Sequence, residues 1–182
     1  VAGLPVVSLG GCLGASLVYK GQIPGLGGDR IVADDVLVPS FILHQNGNSS
    51  ISLDELLDGK DAVVIGITLP ASVNAIDQSK QLENVVDRLG ERVSVVQIVT
   101  GENVRMDDLE TIADITNATW PILIDDGESR FAQRMPMGVS DSVVIIDKSG
   151  HVTYSSSGSA SSEDLIDAVE EIDTGGQQSV FG

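Results

Sequence analysis

Residues 59–73, together with the helical run over 74–90, constrain the fold more than any other part of the sequence. Ala62–Ile67 is continuously apolar, which predicts a strand covered on both faces of a sheet. A corner containing Pro70 follows, and then an amphipathic helix is predicted. Its apolar face should comprise Val73, Ile76, Leu82, Val85, Val86 and Leu89, with Gln78, Lys80, Glu83 and Asp87 largely outside it. A buried strand leading into a helix begins a βαβ unit, so an α/β protein is expected.

Further elements are predicted on both sides of this unit. A strand is predicted from Val36, and an Asn-Gly turn signal follows it. Ser52 is placed to cap a short helix. Strand 92–99 follows, and then a helix ending near Asn117 with Met106, Leu109, Ile112 and Ile115 at helical spacing. Two final strands, joined by a hairpin at residues 147–150, precede a helix capped at Ser161–Asp164. This order predicts a mixed sheet between helices.

The length and composition favour one domain with terminal extensions. The chain has 182 residues, of which 42% are hydrophobic, enough for one proper core. We expect the domain to occupy residues 31–173. Residues 1–30 are predicted to be an anchor segment plus a flexible tether, because 20–30 is glycine-rich, and residues 174–182 a disordered polar tail.

The charge of the chain excludes one class of partner. Ten Lys and Arg residues stand against 27 Asp and Glu residues, which gives a formal net charge of -17 and a pI of about 4.1. A phosphate backbone would be repelled over most of this surface, so no nucleic-acid partner is predicted. The acidic surface resembles that of proteins from halophilic archaea, and an ordinary acidic extracytoplasmic protein is the alternative.

The N-terminal segment predicts a membrane anchor. Residues 1–19 carry no charge and contain Leu9-Gly10-Gly11-Cys12, which looks like a lipobox with Cys12 as the lipidated residue. A transmembrane helix is the second interpretation, which Pro5 and the glycines disfavour, and a buried strand is the third. The localisation expected from the first is extracytoplasmic and membrane-anchored, in the cell envelope.

Several stretches resemble a known family. Leu53–Lys60, Trp120–Ala132 and the hairpin at Asp147–Gly150 are similar to segments of the redoxin and TlpA-like (AhpC/TSA-related) branch of the thioredoxin superfamily. The resemblance covers about residues 36–172. It implies a thioredoxin-like α/β fold with a mixed central sheet flanked by helices, and an oxidoreductase activity that depends on a cysteine pair at a helix N-terminus.

The cysteines that the resemblance requires are absent. A TlpA-like Cys-Pro-x-Cys aligned on Pro70 would place them at Leu69 and Ser72, and a Sco-like Cys-x-x-x-Cys at Leu69 and Val73. A peroxiredoxin-like alignment, with Thr68 as the motif threonine, puts the peroxidatic cysteine at Ala71. Cys12 is the single cysteine, so no CxxC pair or intrachain disulfide can form in the chain. No catalytic residue is therefore predicted.

The second half of the family's site also departs from the pattern. The cis-proline that faces the redox pair falls on Asp141, beside Ser140. Because cis bonds are essentially confined to proline, we predict a trans loop of different shape. His44 and His151 lie outside this loop, and 125–128 lacks the spaced ligands of a calcium loop, so no metal or cofactor is expected.

Three smaller candidates remain. Ser72 has no histidine predicted nearby to activate it as a nucleophile, so it is interpreted as a helix N-cap. Asn48 and Asn117 each begin an N-glycosylation sequon, which matters only if the domain is exported. Methionines beside Pro136 could form a contact patch or simply fill the core.

The expected function is therefore binding rather than catalysis. The old active-site face, around residues 68–73 and 140–142, is predicted to bind an unidentified protein partner. The alternatives are a thiol-disulfide oxidoreductase or peroxidase that works with a cysteine from elsewhere, for which Cys12 is the candidate within the chain, and a structural cell-envelope protein.

Overall fold

The computed structural model describes residues 42–45, 49–70, 72–101, 104–125 and 141–175. Cys12, Asn48, Ala71 and Ser140 lie outside these residues. The strands are β1 (Ile42–Gln45), β2 (Ser49–Ser52), β3 (Ala62–Thr68), β4 (Val93–Thr100), β5 (Ile122–Asp125), β6 (Ser142–Asp147) and β7 (Val152–Ser157). The helices are α1 (Leu53–Leu57), α2 (Val73–Leu89), α3 (Met106–Thr116) and α4 (Ser162–Gly175).

The described strands form one mixed sheet in the order β2-β1-β5-β4-β3-β6-β7. β3, β4 and β5 are parallel neighbours, whereas β6 pairs with β3 in the antiparallel sense. Parallel strands need a crossover, which α2 supplies between β3 and β4 and α3 supplies between β4 and β5. The predicted mixed sheet with flanking helices is confirmed.

β3 lies at the centre of the core, as its continuous apolar run predicted. Every residue of the strand is buried. Val63, Ile65 and Ile67 pack on the face that carries α1, while Ala62 and Val64 pack with residues of α2 and α4 on the other face. The corner that follows Thr68 is therefore attached to the most constrained strand of the fold.

The predicted cap of α1 is also confirmed. The Ser52 side chain accepts a hydrogen bond from the Glu55 backbone N–H at 3.2 Å, and Glu55 Oε2 accepts one from the Ser52 backbone N–H at 2.7 Å. The hydrogen bonds from the backbone and side chain of Ser52 favour the ionised carboxylate and lower the pKa of Glu55. This reciprocal pair fixes the point at which β2 turns into the helix.

The apolar face predicted for α2 is wrong at both of its margins. Val73 is 80% exposed, because it is the first residue of the helix and lies beyond the end of β3. Gln78, predicted outside the face, is 2% exposed. It fits opposite Gly66, where there is no Cβ to exclude it, and its Oε1 accepts a hydrogen bond from the Ala160 backbone N–H at 3.3 Å.

One residue predicted to face inward on α3 is exposed. Leu109, Ile112 and Ala113 pack against Val99 and Ile122 of the sheet. Ile115 lies off this stripe and is 59% exposed. The helix thus uses a narrower contact stripe than its apolar composition suggests.

Gly66→Ala is expected to destabilise the domain because β3 and α2 approach closely at this point. A Cβ at residue 66 would lie 3.0 Å from Leu82 Cδ1 and 3.5 Å from Gln78 Cγ. Overpacking of this kind lowers the free energy of unfolding by about 1–3 kcal/mol. Urea denaturation would measure it, and the loss should be smaller in a Leu82→Ala background, where the clashing methyl is gone. Equal losses of unfolding free energy in both backgrounds would show that the clash with Leu82 is not the cause.

Candidate functional site

The candidate site is the corner between β3 and α2. β3 ends at Thr68, the Ser72 backbone N–H donates to the Leu69 carbonyl at 3.3 Å, and α2 starts at Val73. The Ser72 side chain accepts a hydrogen bond from the Asn74 backbone N–H at 3.2 Å, which confirms its predicted role as N-cap. A 17-residue helix thus directs its positive dipole end into the corner.

Asp141, the position that the resemblance aligns with the family's cis-proline, lies at this corner, as the resemblance predicts. Ser72 Oγ donates to Asp141 Oδ2 at 3.3 Å, and Asn74 Nδ2 donates to the same oxygen at 3.2 Å. The second oxygen, Oδ1, is buried and has no hydrogen-bond partner in the part of the chain that the structure describes. The carboxylate of Asp141, the residue just before β6, therefore lies against the N-terminus of α2.

The backbone at Asp141 differs from that of a proline. Its φ is 61°, whereas the proline ring restricts φ to about −65°. No cis peptide bond occurs among the described residues. The loop thus has a different shape at the position that the family alignment assigns to cis-proline.

This geometry determines what the corner can do chemically. A helix N-terminus stabilises an anion, and in a redox site that anion would be a thiolate of lowered pKa. Here the anion is the Asp141 carboxylate, held by Ser72 and Asn74. The Ser72 oxygen is used to cap the helix, and no histidine contacts it among the described residues. The arrangement is that of a closed helix entrance rather than of an activated nucleophile.

An apolar surface borders this polar closure. Leu69 is 38% exposed and Val73 80% exposed, and Pro70 lies between them. A Cβ at Gly101 would lie 3.5 Å from Pro70 Cδ and 3.8 Å from Leu69 Cδ2, so the backbone that follows β4 packs beside them. We call Leu69, Pro70 and Val73 the apolar corner.

A buried polar network that the sequence did not predict lies beneath the corner. Gln97 Nε2 donates to Thr68 Oγ1 at 3.3 Å, and Ser79 Oγ donates to Gln97 Oε1 at 3.0 Å. All three residues are at most 1% exposed. The network ties the last residue of β3 to β4 and α2. The available signal was a lone glutamine within the apolar run of β4.

A second polar cluster lies in the hairpin between β6 and β7, and it resembles a catalytic triad only in composition. Ser149 Oγ lies 3.0 Å from His151 Nδ1. Asp147 Oδ1 accepts from Ser149 Oγ at 2.7 Å and from the backbone N–H groups of Ser149 and His151, and it lies 3.9 Å from His151 Nδ1. The carboxylate thus braces the turn instead of orienting the imidazole. Within the described residues, no group of three or more His, Cys, Asp or Glu side chains is arranged to hold a metal ion.

Several solved thiol-disulfide proteins have a similar architecture. A secreted disulfide oxidoreductase of Mycobacterium tuberculosis, homologous to E. coli DsbE, matches with a TM-score of 0.60 and 16% identity, over 72% of this chain and 95% of that one. This chain has a thioredoxin-like fold. A DsbF homologue from Corynebacterium diphtheriae matches at 0.60 with 20% identity, over 84% and 98% of the two chains. A thiol:disulfide interchange protein from Bacteroides sp. matches at 0.64 with 14% identity, over 82% and 95%.

These likenesses confirm the predicted fold class, and at such identities they establish the fold alone. No family model matches the sequence, and no curated protein matches it. In the described part of this thioredoxin-like chain, no helix combines the length and apolar character needed to cross a bilayer.

Proposed function

We propose that this thioredoxin-like chain is an extracytoplasmic, membrane-anchored protein that has no dithiol chemistry and binds a protein partner through the apolar corner. The observation that carries the proposal is the corner itself. Leu69 and Val73 are exposed where the resemblance would place cysteines, and the Asp141 carboxylate occupies the helix entrance. Exposed apolar side chains beside a rigid helix terminus are suited to contact with a partner.

The position of the corner supports this proposal. It follows the fully buried β3 directly and is braced beneath by Thr68 and Gln97, so its side chains are presented with little loss of freedom on binding. The net charge of -17 keeps the rest of the surface strongly hydrated, which leaves the apolar corner as a contrasting feature. The lipobox-like Cys12 supports attachment to a membrane.

We expect the full-length protein to show no turnover in insulin-reduction or DTNB-type reductase assays. The reason is that neither Leu69 nor Ser72 can form a thiolate. The matched control is Cys12→Ser, which should likewise show no turnover. Turnover in the native chain that disappears in Cys12→Ser would instead establish the oxidoreductase alternative with Cys12 as its thiol. Mass spectrometry of Cys12 complements the assay, since a lipid-modified cysteine has no free thiol.

Val73→Asp should abolish capture of the partner from solubilised membranes without unfolding the domain. Val73 is largely exposed, and an acidic residue in the first turn of a helix stabilises it by about 0.3–1 kcal/mol. Pull-down followed by mass spectrometry of the captured proteins is the measurement. The matched control is Ile115→Asp, which places the same charge on an exposed apolar residue of another helix. Undiminished capture by Val73→Asp, or equal loss in both variants, would contradict binding at the apolar corner. If the native chain captures no partner, the structural cell-envelope alternative is favoured.

A further inference from the structure

Asn117 ends helix α3 in a left-handed backbone conformation, and its side chain is exposed. Its φ is 51° and its ψ 37°, the left-handed conformation that commonly terminates a helix. Asn117 and Thr119 are both exposed, and neither side chain forms a hydrogen bond within the described residues. The three residues Asn117-Ala118-Thr119 form the acceptor sequence for N-linked glycosylation.

The topology places this turn at the end of the molecule opposite the apolar corner. Gly101, at the carboxyl end of β4, lies beside Leu69 and Pro70, and α3 then runs back along the sheet. Trp120, just past the acceptor sequence, packs in one cluster with Leu89 and Val93, which lie at the end of α2 and the start of β4. α2 itself spans about 25 Å at the normal rise per residue. A group attached to Asn117 therefore leaves the corner uncovered.

The same helix end also carries an exposed apolar residue. Ile115, two residues before Asn117, is one of the three large hydrophobic residues that are exposed in the described part of the chain. The other two, Leu69 and Val73, belong to the apolar corner. A bulky hydrophilic group at residue 117 would be attached at the same helix end as Ile115 and would leave the apolar corner exposed.

We propose that Asn117 carries an N-linked glycan on its side-chain amide nitrogen, transferred from a sugar that is linked through phosphate to a carrier lipid. The bond from the amide nitrogen to the anomeric carbon forms as the anomeric C–O bond to the phosphate breaks, so that the carrier phosphate leaves and one amide proton is released. The amide and the Thr119 hydroxyl are both accessible, the turn needs Asn117 only for its backbone conformation, and the glycan would project away from the apolar corner. The proposal rests on the extracytoplasmic location given under the proposed function, because such glycans are added to exported chains.

Trypsin separates the two acceptor sequences, so mass spectrometry can test the proposal on full-length protein recovered from the membranes of its own cells. Peptide 106–130 contains Asn117 as its only asparagine, and peptide 31–60 contains Asn48. We expect a sugar-derived mass increment on peptide 106–130 from the native chain. It should persist in Thr119→Ser and disappear in Thr119→Ala and in Asn117→Gly. Glycine suits the left-handed conformation, so that last variant keeps the turn.

The state of Cys12 in the same sample separates this proposal from the proposed function. An unmodified peptide 106–130 together with a lipid-modified Cys12 would overturn glycosylation and leave the extracytoplasmic location standing. An unmodified peptide from a chain found only inside the cell would overturn both. A sugar on peptide 31–60 with none on peptide 106–130 would overturn the assignment to Asn117.

Discussion

A cysteine introduced at position 72 is expected to have a higher thiol pKa in the presence of Asp141 than in its absence. The comparison is between Ser72→Cys and Ser72→Cys/Asp141→Asn, both in a Cys12→Ser background so that one thiol is present. Asp141 Oδ2 lies 3.3 Å from Ser72 Oγ, and a carboxylate at that distance disfavours a neighbouring thiolate. We expect Asp141→Asn to lower the thiol pKa by about one unit and to raise the alkylation rate at neutral pH several-fold.

The measurement is the pH dependence of iodoacetamide alkylation of the folded protein. Ser72→Cys/Asp147→Asn is the control, because Asp147 lies at the opposite end of β6, where it pairs in register with Ala62. That control should leave the thiol pKa unchanged. Equal pKa values with and without Asp141 would show that this carboxylate does not act on the helix entrance.

The same contact would act on any thiol placed at this corner. Replacing the missing thiol alone would put it against a carboxylate that opposes its ionisation. Thiol chemistry at this corner would therefore require changes on both sides of it, at the start of α2 and at Asp141.

Gln97→Met is expected to reduce the free energy of unfolding by about 1–3 kcal/mol. Methionine has nearly the same length as glutamine, so the core remains filled. The change removes the donor to Thr68 Oγ1 in a region without solvent access, whereas Ser79 Oγ keeps the Ala75 carbonyl oxygen as an acceptor at 2.8 Å. A buried polar group that loses its partner bears its full desolvation cost.

Urea denaturation of three proteins would test this: the native chain, Gln97→Met, and the triple variant Thr68→Val/Ser79→Ala/Gln97→Met. The triple variant should recover most of the loss, because no member of the network is then left unpaired. A triple variant that is much less stable than Gln97→Met alone would indicate that volume, not hydrogen bonding, decides the stability at this point.

The parts of the fold that the sequence predicted depend on local patterns. The run Ala62–Thr68 predicted a strand buried on both faces, and Ser52 and Ser72 predicted helix caps, because a cap is a bond between residues two or three positions apart. The resemblance to the redoxin and TlpA-like proteins supplied the topology and indicated that Ser72 and Asp141 belong to one site.

The wrong predictions concern where elements end and what faces them. Helical periodicity assigns Val73 and Ile115 to an apolar face, but it does not state how far the sheet beneath extends. Gln78 of α2 is buried because Gly66 on β3 leaves space for it, and Ser79 donates a hydrogen bond to Gln97 across a strand–helix interface. These partners are set by packing between distant segments, which a local pattern does not encode.

The contact between Ser72 and Asp141 has a consequence for the order in which the chain assembles. The two residues are 69 positions apart, and Asn74 is 67 positions from the same carboxylate. Closing so long a loop is slow and depends on β6 pairing with β3. Helix α2 and its serine cap can form early, whereas the closed corner exists only after the C-terminal hairpin has docked. A partner that binds the corner would thus distinguish completed molecules from chains still folding.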